Sequence, residues 1–294
     1  MLGANPAGYQ GATEDRYPKP MHNCPGILLI GHGTRNRQGR SEFAQLTQAV
    51  QELLPQHTVS PCFLELAEPS ISQAVRAAAA RGARQLVALP VLLFAAGHAK
   101  RDIPQELAAA ASETGVSIQQ LEPIGYAQEV LELSRLRYVE LLDSRTHQAE
   151  SETVLVMVGR GSPDREAIAE FQTLARLSAE QRRVGQLEVA FLAMAEPPLD
   201  VVLSSLAERN PTRVVVQPHL LFSGQLYDRI DAAVSQQAKQ FPQTEWLTTA
   251  ILGPHATLTS AIASRATSAT ACKAASQADG DSSMRSERNS WRVL

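Results

Sequence analysis

Short apolar runs alternate with longer amphipathic stretches along most of the chain. In the first half the runs are Ile27–Ile30, Val59–Leu64, Leu86–Leu93 and a weaker one at Val116–Leu121. Each has the length of a buried strand. Between them, Ser41–Leu54, Ser70–Arg81, Lys100–Ser112 and Gln128–Leu142 read as helices. Strand and helix in alternation predict βαβ units and a parallel sheet covered on both faces. Pro69-Ser70 suits the opening of a helix, as does Pro163 after Gly161-Ser162. The pattern then starts again, with runs at Val154–Val158, Leu187–Leu192, Val214–Gln217 and Trp246–Leu252.

The second series is a copy of the first. GILLIGHG, from Gly26 to Gly33, is similar to VLVMVGRG, from Val154 to Gly161, in a register of 128 residues. The same register carries Phe63-Leu64 onto Phe191-Leu192, Glu68-Pro69 onto Glu196-Pro197, Pro90 onto Pro218 and Gly125 onto Gly253. Two copies of about 125 residues each are domains rather than solenoid repeats. The expected architecture is therefore α/β, with two tandem domains related by internal duplication, each a small, mostly parallel sheet flanked by helices. The expected boundaries are a flexible N-terminal segment over 1–24, a first domain over 25–146, a second over 147–270 and a disordered tail over 271–294. The tail is rich in Ser, Ala and Arg and offers little apolar surface to offset its ordering entropy.

Composition narrows the class. Of 294 residues 44% are hydrophobic, enough for a real core, and the net charge of −3 supplies no basic field for nucleic acid. No run approaches the roughly 20 apolar residues of a membrane helix. The N-terminal stretch has neither the basic start nor the apolar core of a secretory signal. Cys24, Cys62 and Cys272 are odd in number and widely spaced, which argues against a disulfide framework or a structural zinc site. The expectation is a cytoplasmic monomer without nucleic-acid or membrane partners.

In parallel sheets, ligands bind beyond the carboxyl ends of the strands. Three chemically active residues fall there in the first half: His32 in Gly31-His32-Gly33, Glu65 after the second strand, and His98 after the third. Two imidazoles and a carboxylate suit borderline divalent metals, and they equally suit acid–base work near neutral pH. The duplication is an internal control. Arg160 stands where the first half has His32, and Ala193 where it has Glu65; with a one-residue deletion after Phe222, Gln225 stands in place of His98. The chemistry is thus expected in the first half, with the second completing a cleft. Glu68 is kept as Glu196 and reads as structural, orienting or capping the next helix. His219 is expected to pack, His255 to open a helix, and His22, His57 and His147 to be incidental.

LLIGHGTRNRQGRSEF, FLELAEPSI and PVLLFAAGHAKRDIP resemble the sirohydrochlorin chelatase family, the class II chelatases. The resemblance runs from about Gly26 to Arg265 and implies the long, two-domain form. It further implies insertion of Fe2+ or Co2+ into sirohydrochlorin, with the metal as a substrate and no prosthetic group. By similarity His32 and His98 handle the metal and accept protons, with Glu65 as an auxiliary ligand or base. The substrate's carboxylates call for cations, and Arg35, Arg37, Arg40, Lys100, Arg101 and Arg160 are the candidates. The tail carries one Cys and no His, unlike some cobalt-type long members, which inclines the reading toward iron. Two rivals are a carrier of metal or tetrapyrrole that does not turn over, and a histidine-phosphatase-like enzyme. Gly31 stands where the phosphatase needs an arginine. No GxGxxG or GxxxxGK[ST] occurs.

Overall fold

The computed structural model describes residues 24–94, 98–143, 152–180, 182 and 184–270, the side chains of His98, Ala99 and Tyr126 excepted. The expected N-terminal segment up to residue 23, the expected tail, and His22 and His147 lie outside the described residues.

Each half is a four-stranded parallel sheet. The first half runs β1 (Gly26–Gly31), α1 (Arg37–Leu53), β2 (Val59–Phe63), α2 (Ile71–Ala80), β3 (Gln85–Pro90), α3 (Ile103–Thr114), β4 (Ser117–Gln120) and α4 (Gln128–Asp143). The second runs β5 (Thr153–Gly159), α5 (Arg165–Glu180), β6 (Gln186–Phe191), α6 (Leu199–Arg209), β7 (Arg213–Pro218), α7 (Gln225–Gln240), β8 (Glu245–Thr248) and α8 (256–270). The strand orders are β2-β1-β3-β4 and β6-β5-β7-β8. Hydrogen-bond registers repeat the sequence register residue by residue: Gly31 pairs with Phe63 and Gly159 with Phe191, Ile30 with Pro90 and Val158 with Pro218. β1 and β5 are buried along their whole length. Central parallel strands need apolar side chains on both faces, and their sequences supply them.

Helix starts follow local chemistry. Asn36 caps α1 by accepting from Gly39 N at 2.9 Å. That sets the helix four residues ahead of the expected Ser41. Ser70 caps α2 in a capping box with Gln73. The cap expected of Glu68 is thus supplied by Ser70, and Glu68 is exposed. The run Leu86–Leu93 leaves the sheet at Pro90. Beyond it the backbone of Leu92 instead accepts from Gly125 N at 3.0 Å. The run Trp246–Leu252 likewise leaves its sheet at Thr248, and Leu252 N donates to Leu220 O at 2.8 Å. The helix expected over Lys100–Ser112 opens instead as a π-helical turn, His98–Asp102, before α3.

α2 and α3 cover one face of the first sheet, and α6 and α7 one face of the second. Between the sheets lies a shared layer. Leu258, Ala261, Ile262 and Ala266 of α8 join the core of the first sheet, with Ile27, Leu29 and Leu46. Tyr138 of α4 joins the core of the second, with Leu155, Met157 and Phe171, while Leu141 and Leu142 pack against it. α8 thus covers the first sheet, while α4 is shared: Val130 and Leu133 stay in the first core and Tyr138 joins the second. Buried polar bonds pin this layer. The Arg182 guanidinium donates to Gln217 Oε1 at 2.6 Å and to Ser134 Oγ at 3.1 Å, and lies over the Tyr138 ring. Burial pulls its pKa down to about 10.

Candidate active site

The order β2-β1-β3 makes the carboxyl end of β1 a point where the chain departs to either side, the place where such sheets open a crevice. His32 follows β1 there. Its backbone carbonyl accepts from Glu65 N at 3.0 Å, and Gly31 O accepts from Leu64 N at 3.0 Å. These bonds extend the β1–β2 ladder by two residues and bring both side chains to the sheet's edge. Gly33 lets the chain turn away. Its φ is +97°, and a Cβ there would overlap the Glu65 carbonyl oxygen. His32 Nδ1 ends 3.5 Å from Glu65 Oε1, with 26% and 48% of the two side chains exposed. His32 Nδ1 faces the Glu65 carboxylate, and both side chains are partly exposed at the sheet's edge.

His98 opens the π-helical turn in the segment after β3. Its side chain, and Gly97 before it, lie outside the described residues. Among the described residues no group of three His, Cys, Asp or Glu side chains gathers at metal-binding distance. His32 and Glu65 are thus the two expected site residues whose side chains are seen together.

The second half reproduces the turn without the chemistry. Ala193 N donates to Arg160 O at 3.0 Å, as Glu65 N does to His32 O. Gly161 has φ +87°, and a Cβ there would overlap the Ala193 carbonyl oxygen. Identical backbone geometry carries a guanidinium and a methyl group in place of an imidazole and a carboxylate. Gln225, the counterpart of His98, begins α7.

Arg35, Arg37, Arg40, Arg101 and Arg160 are exposed. Lys100 is engaged across the halves, its Nζ 2.7 Å from Glu166 Oε2 and 3.8 Å from Asp164 Oδ2. The hydrogen bond to Glu166 holds the ammonium above its usual pKa. A second bridge crosses at the other corner, where Ser223 N and Oγ meet the Glu42 carboxylate at 2.7 and 2.6 Å. Neither bridge was legible in the sequence, because the partners are far apart in the chain and ordinary in type. Both join the carboxyl-end loops of one sheet to the first helix of the other half.

The remaining histidines sort clearly. His219 is 2% exposed, packed between the Phe94 and Phe171 rings. Burial drives its pKa down to about 3. Its imidazole nitrogens have no hydrogen-bond partner among the described residues. His255 opens α8, its Nδ1 accepting from Thr257 N at 3.1 Å. His57, expected to be incidental, is buried and bonded to Pro25 O at 2.8 Å, which ties the entry of β1 to the loop before β2.

Comparison with known proteins agrees with the duplicated fold. The CbiX family model matches the chain twice, over residues 26–141 and 154–269. A sirohydrochlorin cobaltochelatase of Priestia megaterium is 29% identical over 247 residues, 83% of this chain and 80% of its own. A sirohydrochlorin ferrochelatase of Bacillus subtilis is 31% identical over 211 residues, 71% of this chain and 79% of its own. The solved structure of SirB from Bacillus subtilis with Fe3+ superposes with a TM-score of 0.74 at 28% identity, covering 86% of this chain and 98% of that one.

Proposed function

The chain belongs to the CbiX family, and from that membership we propose that it is a sirohydrochlorin chelatase, inserting Fe2+ or Co2+ into the ring with release of two protons. The observation that carries the proposal is the His32–Glu65 pair at the carboxyl edge of the first sheet, set against Arg160 and Ala193 on the same turn in the second.

In this reading the metal is a substrate and no prosthetic group takes part. An imidazole and a carboxylate make an incomplete ligand set. That suits a metal which must leave for the ring, and His98 on the π-helical turn is assigned as a further ligand. His32 and His98 accept the two pyrrole protons, which pass on to solvent, and Glu65 steadies the His32 imidazolium. Arg35, Arg37, Arg40, Arg101 and Arg160 are assigned to the substrate's carboxylates. Lys100 reaches substrate only if its bond to Glu166 opens. We assign catalysis to the first half and the wall of the cleft to the second, within one pseudo-symmetric monomer. We place the reaction in the cytoplasm, in keeping with the free thiols of Cys24 and Cys62. Among the described residues no helix is long and apolar enough to cross a membrane.

The test is an anaerobic assay with sirohydrochlorin and Fe2+ or Co2+ in excess over enzyme, followed by the visible spectrum and a pH indicator. The expected result is many turnovers per chain with two protons released per ring. Conversion or retention of one ring per chain, and then arrest, would show a carrier instead.

A further inference from the structure

Two large apolar side chains stand exposed at matching corners of the molecule. Leu66 is 50% exposed and Met194 58%. They follow Glu65 and Ala193 directly, and they occupy corresponding positions in the 128-residue register. Both have left-handed backbone, with φ of +60° and +58°. That conformation is unfavourable for a residue with a bulky Cβ substituent, and Gly or Asn takes it far more readily. Each loop is held in this shape by its own strand: Phe63 N donates to Pro69 O, and Phe191 N donates to Pro197 O, both at 2.9 Å. The fold thus twice places a strained backbone under a side chain that water surrounds. Neither choice serves the stability of the free protein, and strain retained in this way clusters where ligands bind.

We propose that Leu66 and Met194 are substrate-contacting residues that pack on the apolar face of the tetrapyrrole. The proposal rests on the chelatase reading of the same site. Leu66 adjoins the carboxylate that faces His32, so an apolar ring brought to that pair also meets the Leu66 side chain. Met194 offers the equivalent surface next to Ala193, whose N–H donates to Arg160 O at 3.0 Å, so an apolar contact for the ring stands near a charged one for a ring carboxylate. A planar macrocycle with an apolar face and a charged rim matches this combination. The unbranched thioether of Met194 adapts to a distorted ring.

The test is equilibrium binding of metal-free sirohydrochlorin, read by its own absorbance and fluorescence, to the full chain. Wild type is compared with Leu66→Asn, Met194→Asn and the double variant, with Val201→Asn as a control at an exposed apolar site on α6. Asn keeps the left-handed backbone and removes the apolar surface. The expected result is roughly tenfold weaker binding for each single variant and an unchanged Kd for Val201→Asn. Melting temperatures should stay level or rise in the two Asn variants. Binding within twofold of wild type in the double variant overturns this inference and leaves the chelatase reading standing. A fall in melting temperature in both overturns the strain argument. Failure of wild type to bind sirohydrochlorin at all overturns the chelatase reading and this inference with it.

Discussion

At the scale of single residues, the site depends on a backbone turn that both halves share and on side chains that only one of them carries. The turn was legible: Gly31-His32-Gly33 and Gly159-Arg160-Gly161 sit at the ends of apolar runs, where a positive φ is needed. Substituting Ala for Gly33 or for Gly161 should therefore destabilise the protein by roughly 3 kcal/mol or more in each case, since both would strain the backbone and overlap a neighbouring carbonyl. Urea melts of the two variants check this, and equal tolerance of Ala at either position would contradict it. The pairing of His32 with Glu65 was legible as proximity to one sheet edge, but not as a distance. The left-handed Leu66 and Met194 were hidden because nothing in Leu-Glu-Leu or Leu-Ala-Met signals φ. His219 was rightly expected to pack, and it makes a quantitative prediction. Its pKa is about 3 in the folded protein, against 6.5 when exposed. Between these values the unfolded chain binds the extra proton, so stability is complete above about pH 6.5 and falls as pH drops toward 3. The slope contributed by this group is about 1.4 kcal/mol per pH unit below pH 6.5. Replacing His219 with Phe should flatten that part of the stability–pH curve. A slope unchanged in His219→Phe would show that other groups carry it.

At the scale of elements, the strands were the legible part and the ends of the helices were not. A run such as Ile27–Ile30 admits little besides a buried strand. Leu86–Leu93 and Trp246–Leu252 continued past the sheet because the loops that follow are also buried, against Gly125 and against Leu220–Leu221, and hydrophobicity records burial rather than backbone pairing. α1 began early because Asn36, not an apolar position, starts it. The capping box that opens α2 has a measurable weight: Ser70→Ala should cost about 1 kcal/mol by thermal or urea unfolding, whereas Glu68→Ala should cost little. The reverse order would restore Glu68 as the capping residue. The π-helical turn at His98–Asp102 had no signature in Gly97-His98-Ala99-Lys100-Arg101-Asp102. It is where the first half reaches the second, through Lys100.

At the scale of the whole molecule, duplication could be read from the sequence, but the way the last helices bridge the two cores could not. α4 and α8 are related by the repeat and each looks like an ordinary closing helix. Only packing shows that α8 covers Ile27 and Leu29 while α4 lends Tyr138 to the second sheet. A chain cut after residue 146 should therefore fail to behave as a folded monomer, because the part of its core that α8 covers (Leu258, Ala261, Ile262 and Ala266) is exposed; sedimentation and circular dichroism check this. The central claim is an asymmetry: two near-identical frames, with metal insertion at one. Its most direct test is anaerobic steady-state insertion of Fe2+ or Co2+ into sirohydrochlorin by wild type, His32→Ala and the counterpart variant Arg160→Ala. The account predicts that His32→Ala loses kcat by about 100-fold or more with an unchanged melting temperature, whereas Arg160→Ala keeps kcat and raises KM. Equal losses of kcat in the two variants, or full turnover by His32→Ala, would contradict it.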